Sequence, residues 1–156
     1  MERAFGGFDF RCVGVIEPDR DVSGAFREFM PQDRYENMGH LPLNAHGDGP
    51  FCKFKIAKGV HQSGVYMLTL NDNPKYIGKC SDLAQRWGPQ GFGSISPKNC
   101  FEGGQSTNCK INSLVLRHSK LGERLILWFY ATPDPSPVER TLILDLRPEW
   151  NSQIPW

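Results

Sequence analysis

Gly64-Val65-Tyr66-Met67-Leu68-Thr69-Leu70-Asn71-Asp72-Asn73-Pro74-Lys75-Tyr76-Ile77-Gly78-Lys79 is the stretch from which the fold can be read. Residues 64–70 are mostly β-branched, aromatic or large and apolar. Such side chains suit a pleated, half-buried surface. Asn71-Asp72-Asn73-Pro74 is turn chemistry, because Asn and Asp tolerate left-handed backbone and Pro presets φ. Residues 75–79 are then the returning strand, and the whole reads as a hairpin. On adjacent strands Tyr66 and Tyr76 can meet across the sheet.

Working outward in the C-terminal direction, Ser81-Asp82 can cap a helix that starts near Leu83 and runs through Arg86 and Trp87. Residues 88–104 form a long Gly/Pro/Ser-rich loop, of a length that is usually functional inside a compact domain. Asn108 is the expected cap of a helix that puts Ile111, Leu114, Val115 and His118 on one face and ends at Gly122. Residues 124–130 read as a hydrophobic strand. Pro133 to Pro137 then break the chain before a last helix. Its apolar stripe is Val138, Leu142, Ile143 and Leu146, and Pro148 stops it. The order strand, turn, strand, helix, loop, helix, strand, helix predicts an α/β (α+β) sandwich. A short, mainly antiparallel central sheet would be flanked by helices.

Upstream, residues 1–58 are rich in Phe, Gly and Pro and lack sustained periodicity. A strand is expected over 8–15, a short helix over 22–30 stopped by Pro31, a loop over 37–50 and a short strand over 51–56. This part reads as an N-terminal extension packed on the core.

The 156 residues suit one domain, and 39% hydrophobic with 12% aromatic residues excludes a disordered chain. The net charge of +1 does not advertise a polyanionic partner, although Lys75, Lys79, Arg86, Lys98, Lys110 and Arg117 make the middle locally basic. The five cysteines are odd in number and show no C-x-x-C spacing, which argues against a disulfide framework and against a close-paired zinc site. No stretch is long and apolar enough to span a bilayer, and no basic-then-apolar leader opens the chain, so a cytoplasmic location without membrane contact is expected.

Taken singly, Tyr66, Tyr76, Arg86 and Glu139 have bland readings as strand filler, a solvated arginine and a helix-start carboxylate. Their order gives them meaning. Gly64-Val65-Tyr66, then Tyr76-Ile77-Gly78, then Asp82-Leu83-Ala84-Gln85-Arg86, resembles the signature of the GIY-YIG nuclease family. Glu139 and Asn151 match that family's remaining markers in order and rough spacing. The resemblance covers residues 64–151, and residues 93–116 also look like a stand-alone branch of the family. It implies a GIY-YIG-like catalytic domain over 59–156 and metal-dependent endonucleolytic hydrolysis of DNA, in defence or in repair.

The implied roles follow the needs of phosphodiester cleavage. Glu139 would be the ligand of one Mg²⁺ or Mn²⁺, a hard ion that binds through few carboxylates and keeps water and phosphate oxygens. Tyr66 would be the general base. A free phenol titrates near pH ~10, so Arg86, Lys79 or the metal would have to favour its ionised form or let it relay a proton. Tyr76 would support the nucleophile or place a phosphate oxygen, and Arg86 would offset charge developing on phosphate. Asn151 would orient or brace the site. The family's usual histidine after the arginine is missing, since that stretch is Trp87-Gly88-Pro89-Gln90.

Lys79, Lys98, Lys110 and Asn112 are the candidate nucleic-acid contacts, which would position the duplex without reading its sequence. Cutting both strands with so small a domain calls for a homodimer or for two successive visits. The competing reading is a catalytically inactive nucleic-acid-binding module of the same fold, against which the intact Tyr66, Tyr76, Arg86 and Glu139 argue.

Overall fold

A computed structural model describes residues 1–56 and 59–152. Lys58, at the expected boundary between extension and domain, lies outside the described residues. The chain forms two compact units. The first comprises Met1–Ile16, Ile56–Ala84 and Glu123–Trp156, the second Glu17–Lys55 and Gln85–Gly122.

The first unit is built on a five-stranded sheet. Its strands are β1 (Glu2–Phe5), β2 (Phe8–Val15), β3 (Gly64–Leu70), β4 (Asn73–Cys80) and β5 (Leu125–Ala131), in the order β1-β2-β5-β3-β4. Every pairing is antiparallel. The expected α+β architecture is therefore what the chain adopts. The predicted strand over 8–15 is β2, and it carries residues of the N-terminal part into the sheet.

The β3–β4 turn is tighter than the sequence suggests. Leu70 pairs with Asn73, so Asn71 and Asp72 alone make the loop. Both have positive φ, 48° and 71°, as a two-residue type I′ turn requires. Asn71 also ties the turn to the start of β5. Its N–H donates to the Arg124 carbonyl (2.9 Å), and its Oδ1 accepts from the Arg124 N–H (3.0 Å). Pro74 lies inside β4, which is tolerable because β4 is an edge strand.

One face of the sheet carries Val65, Met67, Ile77, Ile126 and Trp128. These pack with Phe5, Phe10, Leu142 and Ile143 into one core. Leu142 and Ile143 belong to α3 (Pro135–Leu146), whose apolar stripe is the one predicted. Thr69 is the polar residue enclosed here. Its hydroxyl donates to the Ile126 carbonyl (3.4 Å) and accepts from Trp128 Nε1 (3.0 Å), so no polar atom of the trio is stranded.

The second unit contains α2 (Ser106–Lys120) and two short 3-10 helices, Pro31–Arg34 and Pro97–Cys100. The four-residue α1 (Leu83–Arg86) enters it from the first unit along the chain. Three local expectations fail. The helix over 22–30 does not form, because Asp21 captures the backbone first. Its Oδ1 accepts from the N–H groups of Ser23 (2.8 Å) and Ala25 (3.2 Å) and from the Ser23 hydroxyl (2.6 Å). That is the short polar side chain competing with helix. Gly24 follows at φ 90°, and the segment ends in an antiparallel bridge from Phe29 to Phe51. The strand over 51–56 shrinks to that same bridge. Asn108 is not a cap, since α2 starts at Ser106 with Gln105 before it.

With so little regular structure, this unit is closed by a buried amide. Asn112 on α2 is 0% exposed. Its Oδ1 accepts from the Cys52 N–H (2.9 Å), and its Nδ2 donates to the carbonyls of Cys52 (2.9 Å) and Phe92 (2.8 Å). Asn112→Ala strands three backbone groups, at roughly 1 kcal/mol or more each. We expect a loss of about 3 kcal/mol and a melting temperature lower by on the order of 10 °C in a circular-dichroism melt. A shift below about 2 °C would contradict this role.

All five cysteines are free thiols. Burial pushes the Cys52 and Cys109 thiols up from the usual 9.0 to about 12. Burial raises Cys100 as well. In the native protein at pH ~8, a thiol reagent should therefore react fast with the half-buried Cys12 alone, and with all five after unfolding. The sign for stability follows. The unfolded thiols release their protons near pH 9.0 while the folded ones hold them, so this contribution is complete below 9.0 and declines as pH rises toward 12. A native protein that labels at several sites would contradict the prediction.

Candidate active site

Strand alternation decides what the hairpin can offer. In the β3–β4 register Tyr66 faces Gly78 and Val65 faces Lys79. Tyr66, Tyr76 and Gly78 thus share one face, while Val65, Ile77 and Lys79 share the other, which α3 covers. The two phenol rings are neighbours, with centroids 6.0 Å apart at 42°. Tyr66 is 1% exposed and Tyr76 9%.

The glycines of the two triplets have a steric cause. A Cβ on Gly78 would land on the hydroxyl and ring of Tyr66, and one on Gly64 would strike the Tyr130 carbonyl and the Phe129 ring. Each glycine leaves room for a group that another strand places there.

The segment after α3 returns along the outer edge of β4. The Trp150 N–H donates to the Lys75 carbonyl (2.9 Å). The Ile77 N–H donates to Asn151 Oδ1 (2.9 Å), and Asn151 Nδ2 donates to the Ile77 carbonyl (2.8 Å). Asn151 therefore binds, as a strand would, the residue between Tyr76 and Gly78. That covers an edge that would otherwise invite another chain. A Lys75–Glu149 ion pair (2.7 Å) flanks it; with Glu149 largely exposed, its worth is small.

Glu139 sits in the first half of α3, half-buried. By helical spacing it falls within the stripe of Val138, Leu142, Ile143 and Leu146 that packs on the sheet. A carboxylate at a core-facing position is unusual and marks Glu139 out. One turn before it, Ser136 Oγ accepts a hydrogen bond from Lys79 Nζ (2.9 Å). Sequence reading missed Ser136; its spacing of three residues from Glu139 was the only signal. His61 was also unassigned, and its Nδ1 lies 2.9 Å from Asp82 Oδ2.

The remaining candidates belong to the second unit. Arg86 is exposed, with its guanidinium 5.8 Å from the Phe92 ring centroid. Lys98 is exposed on its 3-10 helix, and Lys110 is half-buried on α2. Asn112 is a correction. It is enclosed and bonded to backbone as described, so its side chain cannot touch a nucleic acid.

No family model matches the chain, and no curated protein is similar to it. Among solved structures the chain is similar to a mutant of bacteriophage T4 EndoII. The identity is 18% and the TM-score 0.49, over 71% of this chain and 86% of that one.

If Asn151 braces β4, Asn151→Ala should raise the native-state hydrogen-exchange rate of the Ile77 amide by roughly tenfold, the effect of losing one to two ordinary hydrogen bonds. Unchanged exchange at Ile77 would show that the brace contributes nothing.

Proposed function

We propose that the chain is a metal-dependent endonuclease that hydrolyses DNA phosphodiester bonds by the chemistry of the GIY-YIG family, in defence or repair. The observation that carries this reading is the hairpin itself. The two triplets pack on each other, with Tyr66 over Gly78 beside Tyr76 and Asn151 bound to the intervening Ile77. Chance triplets have no reason to interlock in this way.

In this scheme water attacks phosphorus, the bond from phosphorus to the leaving oxygen breaks, and that oxygen is protonated. Tyr66 takes the proton from the attacking water, and Tyr76 holds the nucleophile or a phosphate oxygen beside it. Arg86 offers its planar fork to the crowded phosphate, where charge develops. Lys79, Lys98 and Lys110 hold backbone phosphates and so set the position of the duplex. Asn151 keeps the strand that carries Tyr76 in place. The phenols and α3 lie on opposite faces of the hairpin.

Among the described residues no three His, Cys, Asp or Glu side chains gather as a metal cluster. One half-buried carboxylate still fits Mg²⁺ or Mn²⁺, because such ions bind through one or two carboxylates and complete their shell with water and substrate oxygens. Glu139 would hold it. When bound, the ion supplies Lewis-acid charge to the phosphate. Among the described residues no helix is long and apolar enough to cross a membrane.

Plasmid nicking in Mg²⁺, in Mn²⁺ and in EDTA tests the reading. Cleavage should need the metal. Arg86→Ala and Glu139→Ala should fold normally and lose about 10²-fold or more in rate. Tyr66→Phe, which keeps the ring, should lose activity too. Metal-dependent cutting that survives in Glu139→Ala removes its role as ligand, wild-type turnover in Tyr66→Phe removes the phenol as base, and binding without any cutting overturns the assignment as an enzyme.

A further inference from the structure

We propose that Ser136 is a positioning residue, holding the Lys79 ammonium one helical turn from Glu139 so that it grips a DNA phosphate there. This rests on the nuclease reading above and adds to it a residue that the triplets do not contain.

The strand sets one side of the arrangement. Lys79 faces Val65 in the hairpin register and so points to the side of the sheet that α3 covers. Its neighbours on that side, Val65 and Ile77, are in the core, but Lys79 itself is exposed. The helix sets the other side. Its first turn reads Pro135-Ser136-Pro137. Two prolines with fixed φ flank Ser136, and neither loses a helical hydrogen bond at this position. The serine hydroxyl is thus presented on stiff backbone, and it meets Lys79 Nζ at 2.9 Å.

The nature of the partner matters. Lys75 is matched by the Glu149 carboxylate at 2.7 Å and Lys120 by that of Glu28 at 3.3 Å. Ser136 is a neutral acceptor. An ammonium has three donors and no acceptor. The hydroxyl engages one donor and orients the group without adding a negative charge of its own. That is the state in which a lysine binds a phosphate as a point charge. Ser136 and Glu139 are three residues apart on α3, so they lie on one side of the helix, about one turn or ~5 Å along its axis. The ammonium and the carboxylate proposed for the metal are then placed to hold the same phosphate from two sides.

The test is binding of a short DNA duplex in EDTA over a series of salt concentrations. Lys79→Ala should flatten the plot of log affinity against log salt by about 0.9, the loss of one phosphate contact. Ser136→Ala should weaken binding about fivefold, and Ser136→Thr, which keeps the hydroxyl, should restore it. In the Lys79→Ala background Ser136→Ala should have no further effect, because its action passes through the lysine. An unchanged slope in Lys79→Ala overturns the proposal. So does an equal loss from Ser136→Ala in both backgrounds, which would mean that the serine acts by itself. A wild type that binds and cuts DNA while either result holds leaves the nuclease reading standing and removes only this inference. A wild type that neither binds nor cuts removes both.

Discussion

Tyr66 lies across Gly78, and much of the first unit follows from that contact. The Tyr66 ring on β3 fills the space that a Cβ at position 78 of β4 would need, so only glycine fits there without displacing the ring. The Tyr66 ring also lies beside Tyr76, and strand alternation turns Val65, Ile77 and Lys79 the other way, toward α3. A side chain at 78 would have to displace the ring, and with it the neighbour that the ring supports. The steric demand of one aromatic thus ties together two triplets about ten residues apart.

Edge strands are a hazard that a sheet has to manage, and β4 is one here. The chain manages it with its own C-terminal segment. Trp150 and Asn151 reach the outward-facing backbone groups of Lys75 and Ile77. The asparagine amide carries N–H donors and a carbonyl acceptor side by side, so it can serve both groups of Ile77 at once. A structural need and a proposed functional one coincide: the strand that must be covered also carries Tyr76 and Lys79.

The second unit solves a different problem. It has one long helix and much irregular backbone, and buried irregular backbone leaves polar groups to satisfy. Asn112 satisfies three of them from the middle of α2. An apolar side chain of similar size would pack and leave those groups stranded, which is why a polar residue lies at the centre of an otherwise apolar surface of Cys109, Ile111, Val115 and Leu116.

What the sequence by itself determined is local or periodic. The hairpin was legible because strand propensity and Asn-Asp turn chemistry act within a few residues. The last helix was legible because its stripe repeats at helical spacing, and the α+β class follows from the order of such pieces. Chemistry-bearing residues were legible only as an ordered set, since each alone has an ordinary explanation. Tertiary structure decided the rest. The stretch 22–30 ahead of Pro31 reads as a short helix, yet Asp21 and the distant Phe51 draw the segment into an extended form. Asn112 reads as a surface amide until the loops that it binds are seen to close over it. That Asn151 binds Ile77, and Ser136 Lys79, emerges only when residues 74 and 57 positions apart in the chain are brought together. Contacts of that range depend on how faces and edges meet, and no local pattern encodes them.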